Sequence, residues 1–136
     1  VGSDSRPAAL APEYYPPLAE LNRPGRQIQA DLRILGEMFH HYQMLVKDPS
    51  GNPVGDNAEI VRALQGRNRA ALAFMPTNHP ALNERGELVD RWGTPFFFHA
   101  LSGHSMEVRS AGPDRRMWNE DDAVFPRPRA NPAPGR

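Results

Sequence analysis

The residues of this chain best suited to chemistry are the acidic side chains Asp114, Glu120, Asp121 and Asp122, all in one short C-terminal stretch. Carboxylates this close, with backbone carbonyls between them, offer the hard oxygen ligands that calcium prefers, although their spacing is not that of an EF-hand. Arg115 and Arg116 lie in the same stretch, so a solvated acidic turn carrying its own counter-charges is the alternative. The five histidines invite a transition-metal or acid–base reading. His40 and His41 are adjacent, and on a helix they point about 100° apart, so they do not grip one ion as an i, i+4 pair does. His99 and His104 can meet diagonally across a hairpin, yet no carboxylate in sequence completes a site. Ser102-Gly103-His104-Ser105 is a polar turn without the Gly-x-Ser-x-Gly elbow or the oriented base that a serine nucleophile needs. No Gly-rich phosphate loop precedes a helix. No catalytic residue is assigned, and an enzyme is not expected.

Composition narrows the classes further. A length of 136 residues suits one domain with a modest core. Sixteen Lys and Arg balance sixteen Asp and Glu, and a nucleic-acid binder would show a basic surplus, so no nucleic-acid partner is expected. Cysteine is absent, which removes disulfides, thiolate metal sites and a cysteine nucleophile, and is compatible with export. The longest apolar stretch, Ala70 to Met75, is far below the roughly 18–20 residues of a membrane span. No span is expected in this chain, and any signal peptide or anchor would lie upstream of it.

The elements that would position these groups are marked by proline and by hydrophobic period. Five of the fifteen prolines fall within residues 1–24 and four within 126–136. The first segment reads as an extended leader arm whose Tyr14, Tyr15 and Leu18 need a surface to pack on. The last reads as a polyproline-like, Pro/Arg-rich tail. Between them, residues 25–125 form the globular domain. Ile28, Leu32, Leu35, Phe39, Tyr42 and Val46 draw one stripe along a helix over residues 26–47, which Asp48-Pro49 ends. A short second helix is predicted from Asn57 to Gln65, with Asp56 or Asn57 as N-cap and Gly66 as stop. Ala70–Met75 reads as buried, of either type, and Asn83-Glu84-Arg85-Gly86 as a turn.

Thr94–Leu101 and His104–Ala111 are predicted to pair as a hairpin around Ser102-Gly103. That register puts Phe97, His99, Leu101, His104, Met106 and Val108 on the core face, and Phe96 and Phe98 on the other, where a loop or a partner must cover them. The fold class is therefore α+β: one long amphipathic helix packed on a small antiparallel sheet, with extended Pro-rich termini.

Two motifs carry a family resemblance. Asp90-Arg91-Trp92-Gly93-Thr94-Pro95 is a Trp-Gly-x-Pro turn feeding an aromatic strand, and Ser110-Ala111-Gly112-Pro113-Asp114 leads from the second strand into Glu120-Asp121-Asp122. From about Gln27 to Phe125 the chain resembles the globular domain of the type II secretion major pseudopilin. It departs from that pattern in several places. The hydrophobic first half of the pilin helix is missing, and a Pro-rich leader stands in its place. Arg91 stands where proline is usual, Arg115-Arg116 replaces a Gly-rich stretch, and the tail after Phe125 is foreign. The resemblance implies a secreted structural subunit, periplasmic or extracellular, with Asp114, Asp121 and Asp122 as calcium ligands. Its partners would be copies of itself or other assembly subunits, met through Tyr14, Tyr15, Leu18, Phe96 and Phe98. A soluble, monomeric protein-binding adaptor of the same compartment is the alternative.

Overall fold

The computed structural model describes residues 14–120 and 122–126. Its architecture is α+β, in the order α1 (Ile28–Val46), α2 (Asn57–Leu64), β1 (Phe97–Ser102), β2 (Ser105–Ser110) and β3 (Ala123–Phe125), after a 3-10 turn at Pro16–Glu20. The strands form one antiparallel sheet with β2 in the centre.

Of the stripe read from sequence, Leu32, Leu35, Phe39, Tyr42 and Val46 are all 3% exposed or less, Ile28 is only partly buried, and Met38, at 0%, joins the buried face. The helix ends at Lys47, which takes the left-handed conformation (φ 57°) just before Asp48-Pro49. α2 opens with a capping box, in which Asp56 accepts from the Glu59 amide and Glu59 accepts from the Asp56 amide. The Asn57 side chain then donates to the Leu88 and Phe96 carbonyls and accepts from the Leu88 amide, tying α2 to the segment that enters the sheet. Ala70–Met75 is neither helix nor strand. Phe74 and Met75 are buried, but Ala70 and Ala71 are exposed, with Ala71 at φ 52°.

The hairpin differs from its sequence reading by one residue. Phe97 faces Arg109, Phe98 faces Val108, Ala100 faces Met106, and Ser102 faces Ser105, so the turn residues are Gly103 and His104. The register shifts between Ala100 and Ser102, which makes Leu101 an extra residue on β1. Because side chains alternate along a strand, this shift exchanges the two faces of β1, while Met106 and Val108 of β2 stay in the core as expected. Phe96 and Phe98 are consequently in the core at 2% and 7% exposure, not on an uncovered face. Phe98 meets Phe39 of α1 edge-on, with ring centroids 5.2 Å apart. Leu101, expected inside, is 53% exposed.

What sets the register lies 50 residues away in sequence. Asn52, 1% exposed, donates to the Ser102 and Ser105 carbonyls and so clamps the turn from outside. Gly51, at φ 82°, allows this approach, because a Cβ there would collide with the Gly103 backbone.

The described part of the leader belongs to the same core. Leu18 and Leu21 are buried, the Tyr15 amide donates to the Phe74 carbonyl, and the His79 ring bonds the Leu18 carbonyl. Leu18 is therefore not a surface residue, and the described part of the arm packs on its own chain beside α1. At the other end of the chain Phe125 lies on Gly36 of α1, where a Cβ would meet its ring.

Candidate functional site: the acidic loop and the outer face of the sheet

The two motifs that carry the resemblance are joined by one buried carboxylate. Asp90, 2% exposed, accepts from the Trp92 and Thr94 amides through Oδ1 and from the Ser110 hydroxyl through Oδ2 at 2.7 Å. Ser110 Oγ in turn accepts from the Gly112 amide. Gly93 in this turn sits at φ 90° with open space where a Cβ would be, so backbone conformation and not crowding demands glycine. Arg91, where the pseudopilin pattern has proline, ties the turn to α1. It holds Asp31, fully buried, at 2.6 Å and donates to the Arg23 carbonyl.

Beyond Ser110 the loop is organised around Arg109. Its guanidinium contacts Glu107 and Asp122, each at 2.9 Å, and lies 4.6 Å from the centre of the Trp118 ring. Burial by itself would lower the arginine pKa; the hydrogen bonds to Asp122 and Glu107, with their charges, outweigh it and raise the pKa. Asp122 Oδ2 accepts from Arg109 and from the Trp118 amide, while Oδ1 is buried with no hydrogen-bond partner among the described residues. Asp114 accepts from the Arg116 amide and from Asn119.

The fit to calcium is partial. Asp114 and the Oδ2 of Asp122 already serve protein donors, and a guanidinium stands beside Asp122, where a cation would be repelled. Asp122 Oδ1 still offers an acceptor that no described donor uses. Asp121 lies outside the described residues. Among the described residues no group of three or more His, Cys, Asp or Glu is placed to hold a metal.

The outer face of the sheet carries what the sequence pattern predicts inside. Phe97 and His99 stack with centroids 6.1 Å apart, and Trp118 meets Phe97 edge-on at 4.9 Å. The bulge residue Leu101 is 53% exposed and Trp118 is 63% exposed. Trp118 also holds φ 74°, a conformation that is strained for an aromatic residue and is fixed here by the hydrogen bond its backbone N–H donates to Asp122. The period-2 alternation Phe97, His99, Leu101 is visible in sequence, but it points to the opposite side of the sheet. Trp118 and Arg109 carry no such signal, since nothing local says that a loop tryptophan returns to a strand arginine.

The other expected interface residues gather elsewhere. Tyr14 and Tyr15 line an apolar groove of about 240 Å³ with His41, Leu45 and Phe74. Tyr15 packs on the His41 ring at 5.1 Å. His40 and His104 are exposed, and both border a separate cavity with Glu37.

No family model, curated protein or solved structure matches the chain. Among the described residues no helix is long and apolar enough to cross a membrane.

Proposed function

We propose that this chain is a structural subunit of a secreted, pilin-like protein assembly, working in the periplasm or outside the cell, and is not an enzyme. The observation that carries the reading is the aromatic group on the outer face of the sheet, where Trp118 and His99 are exposed and both contact the half-buried Phe97. α1 packs on the opposite face, and among the described residues no helix packs on this one. Exposed apolar groups arranged contiguously are the usual sign of an interaction surface, and Trp and Arg dominate such surfaces energetically. The resemblance of the Trp-Gly-x-Pro turn and the Ser-x-Gly-x-Asp exit to pseudopilins supplies the architecture and compartment. The Asp90–Ser110 bond gives the two motifs a shared physical purpose, because it fixes where the acidic loop leaves the sheet.

The test is electron microscopy of the purified full chain: filaments or defined oligomers support a subunit, and isolated particles of monomer size favour the adaptor. Calcium belongs to this reading as a second proposal, supported by the unpartnered Oδ1 of Asp122, with Asp114, Asp121 and Asp122 as its ligands. A melting temperature that falls on chelation and recovers with added calcium would support it; identical melts would remove it.

A further inference from the structure

The outer face has an exposed surface but no stated occupant, and the sequence supplies a candidate of matching chemistry. We infer that the platform formed by Phe97, Trp118 and Arg109 receives the Pro/Arg-rich C-terminal segment, residues 126–136, of a second copy of this chain. This inference rests on the assembly reading and names the contact through which assembly would proceed.

Three observations lead to it. First, the platform is held open. Trp118 stands 63% exposed in a strained backbone conformation, fixed by the hydrogen bond from its backbone N–H to Asp122 and by the Arg109 guanidinium on its ring. Its edge-on contact with Phe97 sets two aromatic surfaces at 72° to one another. Paired aromatic surfaces of this kind are how proline-rich segments are recognised, because a polyproline helix is preformed and loses little entropy on docking. Pro126, Pro128, Pro132 and Pro134 give the segment that character.

Second, the charges complement one another. Residues 126–136 contain Arg127, Arg129 and Arg136 and no acid, whereas the stretch 114–122 that carries Trp118 contains four acids against Arg115 and Arg116. Arg109 is taken up by Glu107 and Asp122 and leaves its own charge satisfied.

Third, the described chain ends on the face of the sheet away from its own platform. Phe125 lies on Gly36 of α1, and Pro126 borders the cavity lined by Glu37 and His40 of the same helix. Arg109 of the platform neighbours Val124 of β3, while Phe97 belongs to the far strand. A segment docking on its own platform would have to turn back round the sheet edge, and one docking on a neighbouring copy would not.

The contact joins unlike surfaces, tail to platform, so each copy both gives and receives. Repetition then produces a ring or an open filament, not a closed two-fold dimer. This makes the test specific. Two full-length variants are prepared: Trp118→Ala, which keeps its tail, and a tail variant carrying Arg127→Ser, Pro128→Ala, Arg129→Ser and Pro132→Ala, which keeps its platform. Light scattering should give a mass that grows with concentration for the unmodified chain. Each variant alone should associate at least tenfold more weakly. An equimolar mixture should form one-to-one dimers and nothing larger, because each pair has one tail and one platform to offer. The tail variant alters no described contact of the core, so its result stands even if Trp118→Ala fails to fold. A synthetic peptide of residues 126–136 should, in addition, dissociate the unmodified assembly. Association that persists in the tail variant overturns the inference and leaves the assembly reading intact. Variants that both fail to associate but do not complement in the mixture overturn docking between copies. An unmodified chain that stays monomeric overturns both readings.

Discussion

The two faces of the small sheet are built from the same strands and have opposite fates. The inner face presents Phe98, Met106, Val108 and Ser110, all buried, against a helix whose own stripe is no more than 3% exposed at six positions. The outer face presents Phe97, half-buried, and His99, exposed, opposite Arg109 and Glu107 of β2 and beside Trp118. Along β1, apolar character therefore does not by itself distinguish core from surface. Which side receives α1 does, and that is decided by a single bulge residue and a clamp from Asn52. A sheet covered on one side still holds together, because the buried face supplies the cooperative packing. The other face is then available for a partner.

The sharpest way to break the comparison is to remove neighbouring phenylalanines one at a time. Phe98→Ala takes away a side chain packed on Phe39 and should destabilise the protein by about 3–5 kcal/mol in urea unfolding. Phe97→Ala loses its aromatic contacts on the open side and should cost only about 0.5–1.5 kcal/mol. Equal losses would mean that the faces are not distinct.

Next in size is the bond that joins turn to strand exit. Asp90→Ala strips three donors of their acceptor, the Trp92 and Thr94 amides and the Ser110 hydroxyl, and should cost about 1–3 kcal/mol. Ser110→Ala removes one of these and should cost less. If Ser110→Ala were the more damaging, the turn would not depend on Asp90 as described.

Much of this architecture is legible in the sequence alone. α1 is readable because its stripe is long and strictly helical, and α2 because Asp56 and Glu59 form a local cap. Asp90, Trp92, Gly93 and Ser110 stand out as parts of two motifs, although nothing in the sequence says that Asp90 and Ser110 bond to each other. What sequence reasoning gets wrong is non-local. The strand alternation is plain, but its phase depends on Asn52, which is 50 residues from Ser102, and on a bulge that alternation does not reveal. That shift reverses the fate of Phe96, Phe98 and Leu101 together. Tyr14, Tyr15 and Leu18 do need a surface, but that surface lies beside α1 and Phe74 of the same chain, and nothing near them in sequence identifies it. Asp122 reads as an ion ligand because its neighbours in sequence are acidic. Its neighbour in space is Arg109.

Smaller still is the expected effect of polar substitution on the open face. Leu101→Ser should leave stability within about 0.5 kcal/mol, since the side chain is already in water, yet it should weaken self-association. A large loss of stability would show that Leu101 is packed after all.

The smallest effect is a titration that separates the arm from the sheet. Burial raises the Tyr15 pKa above its ordinary 10.0, and the charge and hydrogen bond of Glu37 push it the same way. The folded protein thus favours neutral Tyr15. That contribution is fully present below about pH 10 and is lost as pH rises through the folded value. Unfolding measured from pH 9 upward should show this alkaline loss, and Tyr15→Phe should reduce it. An unchanged alkaline slope in Tyr15→Phe would mean that the arm is not anchored through its hydroxyl.

The central claim is that the inner face makes the fold and the outer face makes the assembly. It is tested most directly by the light-scattering mass of the unmodified full-length chain over a hundredfold concentration range at neutral pH. The account predicts a mass that rises above that of the 15.2 kDa monomer as concentration increases. A mass that remains at the monomer value throughout would contradict it.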